Sequence, residues 1–481
     1  MIEKRQFYIN GQWVNPAQAN DHDVINPANE EPCAVISLGG QADTDAAVAA
    51  AKAAFPAWMA TPPAQRIAMV AKLQKVYNAR VEDMAQAISI EMGAPISMSR
   101  QQQAPCGTGH IAAFLEVVKT YEFETPLGDD TDGAYIRKEP VGVAGLITPW
   151  NWPMNQVTLK VVAALVAGCT MVLKPSEESP LSAMVFAEMM DEAGFPAGVF
   201  NLVNGDGVGV GSQLTTHDDV DMISFTGSSR AGKLISKAAA DTLKRVSLEL
   251  GGKGANLIFA DADEKAVKRG VLHCMNNSGQ SCNAPTRMFV QRERYDQAVE
   301  EAAATANSVQ VGAPSEEGRH IGPVVNKMQF DKIQGLIQQG IDEGARLVAG
   351  GTGRPEGFNR GYYVKPTVFA DVTNDMVIAR EEIFGPVLSI IPFDTEEDGV
   401  AMANDTVYGL TDYLQTQDQA RANRVGAALR AGMVEINGQS RGMGAPFGGM
   451  KQSGNGREGG HWGIEDFIEV KSISGYKPDA E

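Results

Sequence analysis

Between residues 7 and 37 polar and apolar positions alternate, punctuated by turn signals at Asn10-Gly11 and Asn26-Pro27, and the pattern predicts short antiparallel strands. From Thr44 to Glu91 the apolar positions recur at helical steps, which predicts helix with Thr44 as its N-cap. Beyond residue 140 the rhythm becomes strand, loop, helix. Val141–Ile147, Thr170–Leu173, Phe200–Val203 and Met222–Phe225 read as buried strands; Val157–Val166, Leu181–Ala193 and Ser229–Ala239 read as helices, and Gly207–Thr215 starts another. Strands and helices alternating at this spacing argue for a parallel, doubly wound sheet.

A second run of the same kind follows, with helix Ala266–Asn277, strand Arg287–Gln291, helices Tyr295–Ala306 and Phe330–Glu343, and strand Val387–Phe393. The break at Glu249-Leu250-Gly251-Gly252 is the natural boundary between the two runs. Thr120–Tyr135 looks like a hairpin insertion, and a last strand, Ile464–Ile473, leaves the second unit as a tail. An exposed terminal strand is an edge that invites pairing with another subunit, so a homodimer or homotetramer is expected.

A chain of 481 residues is too long for one hydrophobic core, which agrees with two or three domains. The formal net charge of −18 makes nucleic acid and anionic membranes poor partners. The five cysteines have irregular spacings and no C-x-x-C pair, so neither a disulfide framework nor a metal site is expected, and a reducing cytoplasm is the simpler setting. The first residues are polar and strand-like, without the apolar core of a signal peptide. The longest apolar run, Val161 to Leu173, is interrupted by Gly168 and Thr170 and is too short to span a bilayer.

Three segments could carry chemistry. Cys282 lies in Asn277-Ser278-Gly279-Gln280-Ser281-Cys282, between a predicted helix and a strand, where small polar neighbours would leave the sulfur unburied and turn backbone N–H groups toward it. That suits a reactive thiolate, although a lone cysteine is more often an inert core residue. Cys33, Cys106, Cys169 and Cys274 sit in apolar strand or helix contexts and keep the structural reading. Glu249, between two leucines at a strand end, is either half-exposed or a desolvated base with raised proton affinity. Asn151, in a loop fixed by two prolines and walled by Trp150 and Trp152, is either a turn residue or a rigid amide donor for an oxyanion. The glycine-rich stretch from Gly205 to Gly211 imitates a dinucleotide fingerprint, and such a match alone is weak.

Taken together, the segments resemble the aldehyde dehydrogenase superfamily. Pro149-Trp150-Asn151-Trp152-Pro153, Lys174-Pro175-Ser176-Glu177, Phe225-Thr226-Gly227-Ser228, Glu249-Leu250-Gly251-Gly252-Lys253, Gly279-Gln280-Ser281-Cys282, Glu381-Glu382-Ile383-Phe384-Gly385-Pro386 and Pro446-Phe447-Gly448-Gly449 occur in that family's order, from about residue 7 to about residue 473. The resemblance implies two doubly wound, Rossmann-like α/β domains with a small β oligomerisation element. Residues 1–119 with 140–250 would form the dinucleotide-binding domain and 251–440 the catalytic domain. Residues 120–139 and 464–481 would supply the oligomerisation hairpin and terminal strand.

The same resemblance implies oxidation of an aldehyde to a carboxylic acid with NAD(P). Cys282 would attack the carbonyl, Asn151 and the Cys282 N–H would hold the oxyanion, and Glu249 would activate water against a thioester. Lys160 and Glu458 match positions that support proton relay. Lys174 and Glu177 resemble the pair that holds the adenosine ribose, with Gly205 near the adenine. Gly227 and Ser228 would meet the pyrophosphate at a helix N-terminus. Glu382, Phe384 and Trp150 belong to the nicotinamide end, and Leu250 is a further cofactor-binding position. A carboxylate at Glu177 repels a 2′-phosphate and favours NAD; Ser176 with Lys174 would admit NADP if Glu177 swung away. Glu249 argues against a CoA-acylating relative, and Cys282 against a non-catalytic member of the fold. The positions implied for the aldehyde are Trp152, Gln156, Leu159, Asn276, Ser281, Asn283, Arg441 and Phe447. Arg441, in Gln439-Ser440-Arg441-Gly442-Met443, would either hold an acidic group of a substrate or stand solvated at the mouth.

Overall fold

The computed structural model describes residues 1–128, 133–442 and 444–475; the tip of the expected 120–139 hairpin, Met443 and the tail beyond 475 lie outside the described residues. Two seven-stranded sheets organise the molecule. In the first, Arg245–Glu249, Met222–Thr226, Val143–Ile147, Thr170–Lys174 and Phe200–Leu202 run parallel in that spatial order. The hairpin Phe7–Ile9 and Gln12–Val14 closes this edge antiparallel. These strands are short and buried on both faces, as strands covered by crossover helices must be. Helix Pro153–Ala167 has every residue but Asn155 buried, which explains why no amphipathic stripe marks its full length in the sequence.

The second sheet has the order Arg346–Ala349, Thr367–Ala370, Val387–Phe393, Arg287–Gln291, Ala255–Ile258, Thr411–Gln415, Met433–Ile436, and all but the first strand run parallel. Two three-stranded sheets complete the fold of the described residues. One joins Ile2–Lys4, Glu31–Ser37 and Asp21–Asn26, and the other joins Ile468–Ile473, Tyr135–Pro140 and Glu124–Pro126. The α/β class with two parallel, doubly wound sheets is therefore the observed one.

Several sequence expectations need correction. Thr44 is not an N-cap: the helix is Gln41–Ala60, and the Asp43 carboxylate accepts from the Gly40 N–H at 2.9 Å while Thr44 Oγ1 donates back to the Gly40 carbonyl at 3.0 Å. The expected strand Val141–Ile147 starts at Val143, after Gly142 with φ of +140°, and a separate strand that was not foreseen, Tyr135–Pro140, precedes it. The terminal strand Ile464–Ile473 is a short helix, Gly460–Glu465, followed by strand Ile468–Ile473, and it pairs antiparallel with Tyr135–Pro140. Gly207–Gly211 forms a π-helical turn before Ser212–Thr216.

Among the described residues no helix is long and apolar enough to cross a membrane, and no group of His, Cys, Asp and Glu side chains is placed to hold a metal.

Candidate active site

From Val143–Ile147 the first sheet is built outward through Thr170–Lys174 and Phe200–Leu202, and then on the other side through Met222–Thr226 and Arg245–Glu249. The crevice at the carboxyl ends of Val143–Ile147 and Met222–Thr226 is the switch point, where open parallel sheets bind ligands. A cavity of about 160 Å³ occupies it, with Trp150 and Asn151 on one lip, Gly227 and Ser228 on the other, and Cys282 and Glu382 across from them. Leu250 and Phe384 also line it.

Cys282 is reached through a strained turn. Asn277, Ser278 and Gly279 all have left-handed φ, at 52°, 57° and 72°. A side chain at Gly279 would collide with the backbone of Gly385 and Pro386, so this glycine lets the cysteine loop and the Phe384 loop meet. Phe384, itself at φ 61°, packs edge-on against Trp150 at 5.4 Å. The sulfur is half-buried rather than open as expected, because Leu410, Met433 and Phe447 pack around it. Burial, reinforced by the carboxylates of Glu382, Glu249 and Glu458, pushes the thiol up to about 12, so the resting group is protonated.

The Asn151 amide is locked. Its Nδ2 donates to the Gln280 carbonyl at 3.0 Å, and its own backbone carbonyl accepts from Gln103 Nε2 at 3.1 Å and Asn277 Nδ2 at 3.0 Å. Trp152 Nε1 donates to Ser281 Oγ at 2.8 Å, tying the same loop to the cysteine turn. Gln103 and Asn277 carry this clamp and were not legible as site residues. Neither stands in a segment quoted for the family, and the helix Ala104–Val117 beside Gln103 has no sharp sequence signal.

Glu249 ends its strand with both carboxylate oxygens buried and without a hydrogen-bond partner among the described residues. Gly448 leaves it room, since a Cβ there would come within 2.5 Å of Glu249 Oε1. Desolvation and the nearby Glu458 raise its pKa well above the carboxylate range, against the opposing pull of Lys160 and Arg457. The Lys160 ammonium donates to Glu458 Oε1, and the two side chains are only 1% and 6% exposed. Glu458 is joined to Phe447 through paired backbone hydrogen bonds of 2.7 Å.

The remaining candidates fall into two groups. Glu382 Oε1 accepts from the Gly252 N–H at 2.9 Å, and the flanking Gly251 is where a Cβ would strike that carboxylate. Ser228 caps helix Ser229–Ala239 by accepting from the Ala231 N–H at 3.2 Å. Lys174, the last residue of strand Thr170–Lys174, pairs with Glu177 at 3.2 Å, with Ser176 buried between them in the chain and Gly205 turned against Val210.

A separate cavity of about 400 Å³ is lined by His110, Leu159, Arg441, Phe447 and Glu458, with Gln102 toward its rim. Asn276 donates to that Gln102 at 3.3 Å, and Asn283 holds Tyr413 by accepting from its hydroxyl at 2.6 Å. Trp152 and Gln156 do not line this cavity. Gln156 is buried, and its Oε1 accepts from Thr226 Oγ1 at 3.3 Å. On helix Ala104–Val117, His110 lines the cavity without having been singled out in the sequence, and Cys106, expected to be a structural residue, lines it as well.

Residues 13–473 match the model of the aldehyde dehydrogenase family. The chain is 49% identical to a 3-succinoylsemialdehyde-pyridine dehydrogenase of a Pseudomonas species, over 99% of this chain and 100% of that one. It superposes on the crystal structure of an aldehyde dehydrogenase from Bartonella henselae with a TM-score of 0.98 at 59% identity, covering 98% of this chain and 100% of that one. A mutant of aldehyde dehydrogenase C from Pseudomonas syringae, crystallised with NAD+ and octanal, gives a TM-score of 0.96 at 49% identity, covering 99% and 98%. With the crevice, the thiol and the buried carboxylates in place, the chain belongs to the aldehyde dehydrogenase family and is an oxidoreductase.

Proposed function

We propose that the protein oxidises an aldehyde to the free carboxylic acid with NAD, by covalent catalysis at Cys282. The observation that carries this reading is a half-buried thiol on the crevice wall, with the rigid Asn151 amide beside it and the unpartnered Glu249 carboxylate in its electrostatic field. The thiolate adds to the carbonyl carbon, and the Asn151 side chain and the Cys282 N–H stabilise the oxygen as it gains charge. NAD, when bound, supplies the acceptor for the hydride that leaves this adduct. Glu249 then takes a proton from water, which attacks the Cys282 thioester and releases the acid and the thiol. Lys160 and Glu458 hold the charge balance around that base.

The residues of the crevice fit NAD. Glycines at 227 and 251 leave space that a side chain would fill with clashes against Phe225 and Glu382. Helix Ser229–Ala239 presents its N-terminus to a pyrophosphate, and the Lys174–Glu177 pair suits ribose hydroxyls. The Glu177 carboxylate disfavours a 2′-phosphate, which supports NAD over NADP. Relatives crystallised with NAD+ support the same choice.

On this reading the sheet of 1–119 and 140–250 is the dinucleotide-binding domain and 251–440 the catalytic domain. The sheet built from Glu124–Pro126, Tyr135–Pro140 and Ile468–Ile473 is the surface of a homodimer or homotetramer. Its terminal strand has four consecutive exposed positions, including Val470, along an unpaired edge. Light scattering tests the assembly, and NAD-dependent oxidation across an aldehyde panel, lost in Cys282→Ala, tests the activity. A rate that depends strictly on added CoA would instead favour thioester transfer.

A further inference from the structure

The larger cavity is separate from the crevice that Cys282 lines, but its wall residue Phe447 packs against Cys282, and Arg441 is its one Lys or Arg side chain among the described residues. The guanidinium lies over the ring of Phe447, with Cζ 4.6 Å from the centroid. Among the described residues its single hydrogen bond runs from Nη1 to Met433 Sδ at 3.0 Å, and a thioether is a weak acceptor. No carboxylate among the described residues forms an ion pair with it. Glu435 is the carboxylate that acts on it most strongly through space, and that side chain is engaged by the Arg441 backbone N–H. A half-buried arginine normally finds a planar anionic partner, because its donors are costly to leave unmet.

Nothing else in the cavity competes for that role. His110 is tied through Nε2 to Asn155 Oδ1 at 2.7 Å, and burial keeps its ring neutral. Glu458 is a carboxyl group and is already paired with Lys160. The cavity thus has the Glu458 carboxylate on one part of its wall and, on another, the Arg441 cation with no carboxylate bonded to it among the described residues. An anionic group on the substrate is repelled from the first and held by the second, which aims the other end at Cys282. Cys282 and Arg441 touch the same small apolar patch of Leu410, Met433 and Phe447, so the span between them is short.

We infer that Arg441 is the anion-recognition residue of the aldehyde cavity, and that the enzyme prefers a short-chain aldehyde bearing a carboxylate at its far end. The inference rests on the assignment of Cys282 as the nucleophile. It separates this chain by substrate class from the relative crystallised with octanal.

The test compares 4-oxobutanoate with its uncharged counterpart pentanal, using the full-length enzyme and NAD. The ratio of their kcat/KM values should favour 4-oxobutanoate, should fall roughly 10- to 100-fold in Arg441→Gln, and should recover in part in Arg441→Lys. Because Arg441 also lies in the field of the thiol, the ratio is the readout rather than either rate. Calorimetric binding of 4-oxobutanoate to Cys282→Ala, lost in Cys282→Ala/Arg441→Gln, reads recognition without turnover. An unchanged ratio with both aldehydes oxidised overturns the role of Arg441 and leaves the nucleophile standing. No oxidation of either aldehyde, with binding intact, overturns the activity instead. Preference for pentanal in the unaltered enzyme overturns the substrate class.

Discussion

Glu249 and Glu458 share one buried pocket of charge, yet only Glu458 has a cation to itself: Lys160 is bonded to it, and Glu249 is left with two unpartnered oxygens. The asymmetry separates their roles. The Glu458 carboxylate has an ammonium bonded to it, whereas the desolvated Glu249 without a partner keeps its proton until the pH rises, and when ionised it is a strong base.

Replacing Glu249 by Gln removes the base and keeps the shape. Steady-state kcat should fall about 100- to 10,000-fold, while one equivalent of NADH still forms in a rapid first turnover. Stopped-flow absorbance checks this, and equal loss of the burst would place Glu249 in the first half of the reaction.

The pH dependence follows from two upward shifts. Cys282 is pushed up to about 12 and Glu249 well above its usual range, both mainly by burial, and each works only when deprotonated. The active fraction therefore grows with pH, and kcat/KM should rise from about pH 7 to about pH 9 rather than level off near neutrality. The rise in kcat should flatten in Glu249→Gln. A pH-rate profile with an acetaldehyde or pentanal substrate reads both.

Lys160→Met leaves the Glu458 carboxylate buried without its ammonium. Loss of one member of a buried pair costs about 3–5 kcal/mol, and chemical denaturation should show a change of that size. The companion Lys160→Met/Glu458→Leu, which removes both charges, should recover much of it.

Gly279→Ala forces a Cβ into the Gly385–Pro386 backbone at a left-handed φ of 72°. Either the cysteine turn or the Phe384 loop must move, so activity should be lost well below the temperature at which the fold melts. Thermal denaturation followed in parallel with turnover separates the two.

The legible parts of the molecule were those where local pattern and final environment agree. Helix Ser229–Ala239 and strands Arg287–Gln291 and Val387–Phe393 have the predicted bounds, because the helix has its serine cap and the strands their β-branched and aromatic residues. Strand Thr411–Gln415 was not foreseen. Its sequence, TDYLQ, looks polar, yet all five residues are buried, with Asp412 accepting from the Ala255 N–H at 2.8 Å and Gln415 donating to Asn256 at 3.1 Å. Polar groups satisfied across a sheet conceal a core strand from any hydrophobic count. In the same way Cys282, Glu249 and Asn151 stood out in their motifs. The apolar cover over the thiol did not, since it comes from Leu410, Met433 and Phe447 far along the chain. Small flanking residues suggested an open sulfur; tertiary packing closed it.

The central claim is that Cys282 forms a covalent acyl intermediate that Glu249 clears. Acid-quenched mass spectrometry of Glu249→Gln, mixed with NAD and aldehyde, tests it most directly. The account predicts one acyl group per active site, on the peptide that contains Cys282, and none in Glu249→Gln/Cys282→Ala. An active enzyme that carries no adduct, or carries it on Cys106 or another thiol, would contradict it.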